Sequence, residues 1–160
     1  MLGLLLLTPT AEAAPKVFTQ GPCASGGDAC KTFYAHSPIP TIRTLTFTAP
    51  RAGVALVTFN GTMSCTSGDG SYTYVDLASQ IQTGPGTANP NGAGGARHLV
   101  VLDAVYNLTP TVEINLASTR TINFRTGGQK TLYFRITKRR MDAGTACYVY
   151  NPVFTVLYLS

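Results

Sequence analysis

Charge is what this chain has least of. Only 12% of its 160 residues are Asp, Glu, Lys or Arg, against a usual quarter. Gly, Thr, Ser and Asn fill the polar positions instead, a surface typical of extracellular β proteins. The modest net charge and the ordered recurrence of aliphatics exclude a disordered chain.

Catalytic material is equally sparse. There are two histidines, His36 among prolines and His98 at a strand entrance, and both read as structural or solvated. No G-x-S-x-G elbow occurs. A glycosidase needs paired carboxylates, and the acids are few; Asp76 and Asp103 are the pair that strand-like segments could bring together. The "TGGQKT" stretch lacks the Gly-x-x-x-x-Gly-Lys-Thr spacing of a phosphate loop. The "SGDGS" turn around Asp69 lacks the repeated acidic ligands of a calcium loop. Cysteines and histidines are not clustered at zinc spacings. No metal or cofactor is expected, and the chain reads as non-catalytic. A hydrolase would need a triad or acid pair assembled from distant positions.

Helical periodicity is missing too: no segment sustains it beyond two turns. No apolar run approaches the ~20 residues of a membrane span. At the N-terminus, residues 1–13 resemble an export signal, with an apolar core from Leu2 to Leu7 and Ala11-Glu12-Ala13 as an A-x-A cleavage site. No basic residue precedes that short core; a start further upstream would account for both features. A mature chain beginning near Ala14 implies a secreted protein, periplasmic or extracellular.

What is present is cysteine in even number and strand pattern throughout. Cys23, Cys30, Cys65 and Cys147 behind an export signal fit two disulfides. Four cysteines allow three connectivities. We favour Cys23–Cys30, closing the Gly-rich "CASGGDAC" loop, and Cys65–Cys147, tying an early strand to a late one across the core. Residues 14–40, with Pro15, Pro22, Pro38 and Pro40, read as an irregular arm pinned by the small Cys loop. Residues 41–160 read as one domain.

Within that domain, Leu45, Phe47 and Ala49 alternate with Thr44, Thr46 and Thr48. After a "PRAG" turn, Ala55, Val57, Phe59, Gly61, Met63 and Cys65 share an inward face, so 41–65 reads as a hairpin. Tyr72, Tyr74 and Asp76 lie opposite Val75 and Leu77. Residues 84–97, rich in glycine, read as a mobile loop. "HLVVLDAVYNL" reads as a strand buried on both faces. "TINFRTGGQKTLYFRITKRR" reads as a second hairpin, with Phe124 opposite Leu132, Ile122 opposite Phe134 and a Gly127-Gly128-Gln129 loop. Val153 to Leu159 is apolar on both faces, hence either central or covered by a neighbouring subunit. The sum is an all-β, antiparallel, disulfide-stapled β-sandwich, jelly-roll-like, of about eight to ten strands.

The segment "FTAPRAGVALVTFNG", residues 47–61, resembles the F-T-x-P-x-x-G strand-turn-strand pattern of the complement globular-head and tumour-necrosis-factor-like jelly rolls. Phe47, Pro50 and Gly53 match in order, and Val57 and Phe59 fall on the apolar strand that follows. Ala55 stands where that family often has Tyr. The resemblance implies a ten-stranded jelly roll that forms trimers and binds ligands without catalysis.

Charge points to a surface. From Arg120 to Arg140 there are seven Lys or Arg and no acid. The hairpin register gathers Arg125, Tyr133, Arg135, Lys138, Arg139 and Arg140 on an outer face suited to a polyanion or glycan. The leading reading is therefore a secreted protein that works by binding or assembly at the cell surface. The alternative is a structural homo-oligomer of an appendage or particle, joined through its last strand.

Overall fold

The computed structural model describes residues 14–23, 30–39, 41–68, 72–103 and 109–160. The expected export signal at 1–13, the interior of the small Cys loop and the expected turn at Asp69 lie outside the described residues. Nine strands follow one another: β1 (Lys16–Gln20), β2 (Lys31–Tyr34), β3 (Thr41–Ala49), β4 (Gly53–Ser67), β5 (Thr73–Gln82), β6 (Gly95–Leu102), β7 (Thr111–Phe124), β8 (Gly128–Met141) and β9 (Thr145–Leu159).

They form two antiparallel sheets. Sheet A runs β1-β9-β4-β7, with β2 also laid on β9; sheet B runs β3-β8-β5-β6. The pairings are nested: β2 with β9, β3 with β8, β4 with β7, β5 with β6. A long antiparallel ribbon folded over into two sheets has this order, and it defines a jelly roll.

The inward faces follow from period-two alternation. Leu45, Phe47 and Ala49 of β3 are buried, as are Ala55, Val57, Phe59, Met63 and Cys65 of β4. Across the core the Phe59 ring of sheet A stacks on the Phe134 ring of sheet B, with centroids 3.5 Å apart. Phe154 meets Phe59 edge-on.

Both hairpin expectations fail, and for one reason. β3 and β4 lie in different sheets, and so do β7 and β8. Phe124 faces Gly53 and Ile122 faces Ala55 in the β4–β7 ladder, while Leu132 faces Leu45. Two strands with inward apolar sets have the same parity whether they pair edge to edge or stack face to face. The connections are arches between sheets. Tyr158, buried in sheet A, donates its hydroxyl to Arg51 O at 2.7 Å and pins the first arch. At Gly127 in the second arch, an added Cβ would lie 2.9 Å from Pro50 O, so the two arches pack on each other only with glycine there.

Three further expectations change. The arm at 14–40 contributes two strands of sheet A. The Cys65–Cys147 bridge does form, as does Cys23–Cys30. It does not cross the core, because Cys65 and Cys147 are direct partners on adjacent strands of sheet A. β6 is an edge strand, with Leu99 and Val101 exposed rather than buried on both faces. β9, by contrast, is central to sheet A. Its inward Phe154, Val156 and Tyr158 are buried, and Leu159 at its end is exposed.

Candidate functional site

The outer face of sheet B carries most of the expected basic residues, but not as one free cluster. Tyr133, Arg135 and Arg140 lie on it through β8, in register with Gln82, Gln80 and Asp76 of β5. Arg125 does not join them. It follows the end of β7, a strand of the other sheet, whereas Arg135 and Arg140 lie roughly 23 and 40 Å along β8 from its start at Gly128, at about 3.3 Å per residue.

Partners then decide which charges are free. Asp76 holds Arg97 through two bonds, Nε to Oδ1 at 3.0 Å and Nη2 to Oδ2 at 2.9 Å. Arg139 approaches the same carboxylate at 3.5 Å. The hydrogen bond from Arg97, reinforced by the charges of Arg97 and Arg139 and opposed by partial burial, lowers the Asp76 pKa. Arg140 pairs with Asp142 at 2.8 Å and lies over the Tyr74 ring, 4.6 Å from its centre. Hydrogen bonds from Arg140 and then from the Tyr74 N–H lower the Asp142 pKa. Lys138 donates its ammonium to Ala35 O and, at 3.0 Å, to Ser37 O.

Arg135 differs from the rest. Its guanidinium lies over the Tyr133 ring, 4.7 Å from the centroid. Its Nε is buried and meets no hydrogen-bond partner among the described residues. It lines a cleft of about 210 Å³ together with Ile39, Thr41, Thr87, Thr137 and Lys138. The sequence reading missed Thr41, Thr87 and Thr137, because nothing local marks a threonine as cleft-lining.

The wall of that cleft is the glycine-rich connection between β5 and β6. The expected mobile loop is tethered instead. Gln82 donates to Thr87 O at 2.7 Å, and Ala88 N donates to Thr137 Oγ1 at 2.6 Å. Gln80 accepts from Asn89 N at 2.9 Å and donates to Ala93 O at 3.3 Å. Glycine lets the chain fold flat: a Cβ at Gly92 would strike the Gln80 side chain. Gln80 and Gln82 carry no periodic signal that announces this tether.

The catalytic alternatives find little geometry. His98 Nε2 lies 2.8 Å from Ser79 Oγ, and burial lowers the imidazole pKa. Ser79 is fully buried, however. Asp76 is out of reach of this pair, since it faces Leu99 while His98 faces Leu77 and neighbouring strand positions point to opposite faces. His36 stacks on Tyr34 instead. Asp76 and Asp103 are not brought together either: Asp103 lies beyond the last β5–β6 pair, Thr73 with Leu102.

Fold and face together define an all-β jelly roll with a basic, aromatic outer sheet. No family model and no curated protein matches the chain in sequence. Among solved structures, 99% of the chain aligns with 40% of a chain from the infectious bursal disease virus Gx strain, at TM-score 0.34 and 14% identity. The VP2 subviral particle of infectious bursal disease virus aligns over 99% of this chain and 41% of its own, at TM-score 0.29 and 12% identity. The chain thus spans about two-fifths of those proteins, and likeness at this level says nothing of function.

Proposed function

We propose that this protein is a secreted, non-catalytic jelly roll that binds a polyanionic or glycan ligand at the cell surface or outside the cell. The outer face of sheet B is the binding surface. One observation carries the reading: Arg135 and Lys138 share a cleft, and neither has a carboxylate partner among the described residues. Two disulfides support an oxidising compartment. No described helix is long and apolar enough to cross a membrane. The test is retention on immobilised heparin against rising NaCl. Polyanion binding releases counterions, so affinity should fall linearly on a log–log plot. Retention that ignores salt, or no retention, sinks the reading.

A second reading has its own observation. Val17, Val54, Leu56 and Leu159 are exposed on sheet A around the β1-β9-β4 ladder. This face suits a homo-oligomeric structural module, and the likeness of residues 47–61 to trimeric heads agrees with it. Sedimentation velocity over a wide concentration range decides; a monomer throughout removes this reading.

A further inference from the structure

We propose that the Arg135 cleft is a subsite for one sulfate- or carboxylate-bearing sugar of an acidic polysaccharide. This rests on the reading of the sheet B face as a polyanion surface and narrows it to one place and one chemistry.

The positive field of that face is not where the run of basic residues suggests. Arg97 and Arg139 share the Asp76 carboxylate, and Arg140 is matched by Asp142. Lys138 gives its protons to two backbone carbonyls, which orient it but leave its charge uncancelled. Arg135 has neither an acid nor a hydrogen-bond acceptor among the described residues. Among the cations from Arg135 to Arg140, the charge left without an acid therefore lies at the cleft that these two residues line.

The donor set suits an oxyanion on a hydroxylated ring. A guanidinium presents a planar fork that matches carboxylate or sulfate oxygens two at a time. Here the fork rests on the Tyr133 ring, so little side-chain freedom remains to be lost on binding. Thr41, Thr87 and Thr137 add hydroxyls on the walls, and Ile39 offers an apolar side to the ring carbons. Thr137 already accepts from Ala88 N, which leaves its own proton to donate.

Size and aromatics narrow the class. A volume of about 210 Å³ holds roughly seven waters at about 30 Å³ each, room for one pyranose. Single-stranded nucleic acid is held by aromatic rings on which bases stack. On this face Tyr133 and Tyr74 each already carry an arginine.

The test uses the full mature chain and a heparin hexasaccharide, titrated calorimetrically at physiological salt. Arg135→Ala should weaken binding by roughly tenfold or more, the scale of a lost charge-assisted hydrogen-bond pair. Arg135→Lys keeps the charge but loses the fork, and should fall between. Thr87→Tyr fills the cleft without touching any charge, and should also weaken binding. Lys16→Ala removes one exposed charge on sheet A and should stay within twofold. Circular dichroism of each variant checks folding. If the wild type binds but Arg135→Ala and Thr87→Tyr behave like Lys16→Ala, the subsite is overturned while the polyanion surface stands. If the wild type prefers a neutral dextran or does not bind, both fall. If a single-stranded DNA of equal charge binds as well and responds equally to the variants, the acidic-sugar assignment is overturned.

Discussion

Cys147 sits directly across from Cys65 in the β4–β9 ladder, with 4.1 Å between their Cα atoms. That is the close spacing of a non-hydrogen-bonded antiparallel pair, and both residues are fully buried. The bridge locks the register of two central strands and closes a long loop, with 82 residues of sequence separation. The Cys23–Cys30 bridge spans a separation of only 7.

Loss of the two bridges should therefore differ in cost. In the chain-entropy view, removing Cys65–Cys147 costs about 4.5 kcal/mol and removing Cys23–Cys30 about 2.5 kcal/mol. Urea midpoints of the Cys65→Ala/Cys147→Ala and Cys23→Ala/Cys30→Ala pairs measure this. A larger effect from the short loop would contradict it.

The Phe59–Phe134 stack joins the two sheets at the centre of the core. Phe59→Ala should destabilise by about 3–5 kcal/mol, from lost transfer energy and the cavity left behind. A double-mutant cycle with Phe134→Ala should show a coupling of roughly 0.5–1.5 kcal/mol. Additive effects would mean that the stack contributes only through burial.

Acid should weaken the fold in two steps. Burial lowers the His98 pKa, so as pH falls the unfolded chain takes up that proton first. Stability from this residue is full above about pH 6.5, declines as pH drops through that value toward the folded pKa, and then levels off. Asp76 and Asp142 act further down, because their folded pKa values are lowered from an ordinary 3.8; their contribution is present above that value and lost as pH falls through the folded pKa. The urea midpoint should be lower at pH 5 than at pH 7.5, and His98→Gln should flatten that first step. Persistence of the step in the variant would assign it to another group.

Gln80 holds the β5–β6 connection through Asn89 N and Ala93 O. Gln80→Ala should raise amide hydrogen exchange across residues 87–93 while leaving β4 and β9 unchanged. The stability cost should be about 0.5–1.5 kcal/mol per bond lost, since the partners Asn89 and Ala93 are exposed and can turn to water. Unchanged exchange in this loop would show that its backbone packs without the tether.

Much of the sandwich is legible in the chain. Alternation places Phe47, Phe59 and Cys65 inward, and the structure buries all three, although an irregularity between Thr41 and Arg43 breaks the period at the start of β3. The even cysteine count points to two bridges, and both form. The basic face is only half legible. A run of cations shows in the sequence, and Asp142 stands just two residues past Arg140, but the neutralisation of Arg97 and Arg139 depends on Asp76, which β5 brings to them. The cleft is not legible at all, since Thr41, Thr87 and Arg135 meet only when β3, β8 and the β5–β6 connection are assembled.

The amino-acid sequence by itself determined which side of each strand faces the core, because side chains alternate with a period of two and apolar ones leave water. It also placed the turns, through Pro50, Gly53 and the glycines at 127 and 128. Tertiary structure alone decided which strand pairs with which. A hairpin and an arch bury the same residues, so parity cannot separate them; the nested ladders of β4 with β7 and β9, and of β8 with β3 and β5, do. Those ladders leave Arg125 in the arch before β8 and put Arg135 midway along β8, unmatched in a cleft, while Arg139 and Arg140 meet acid.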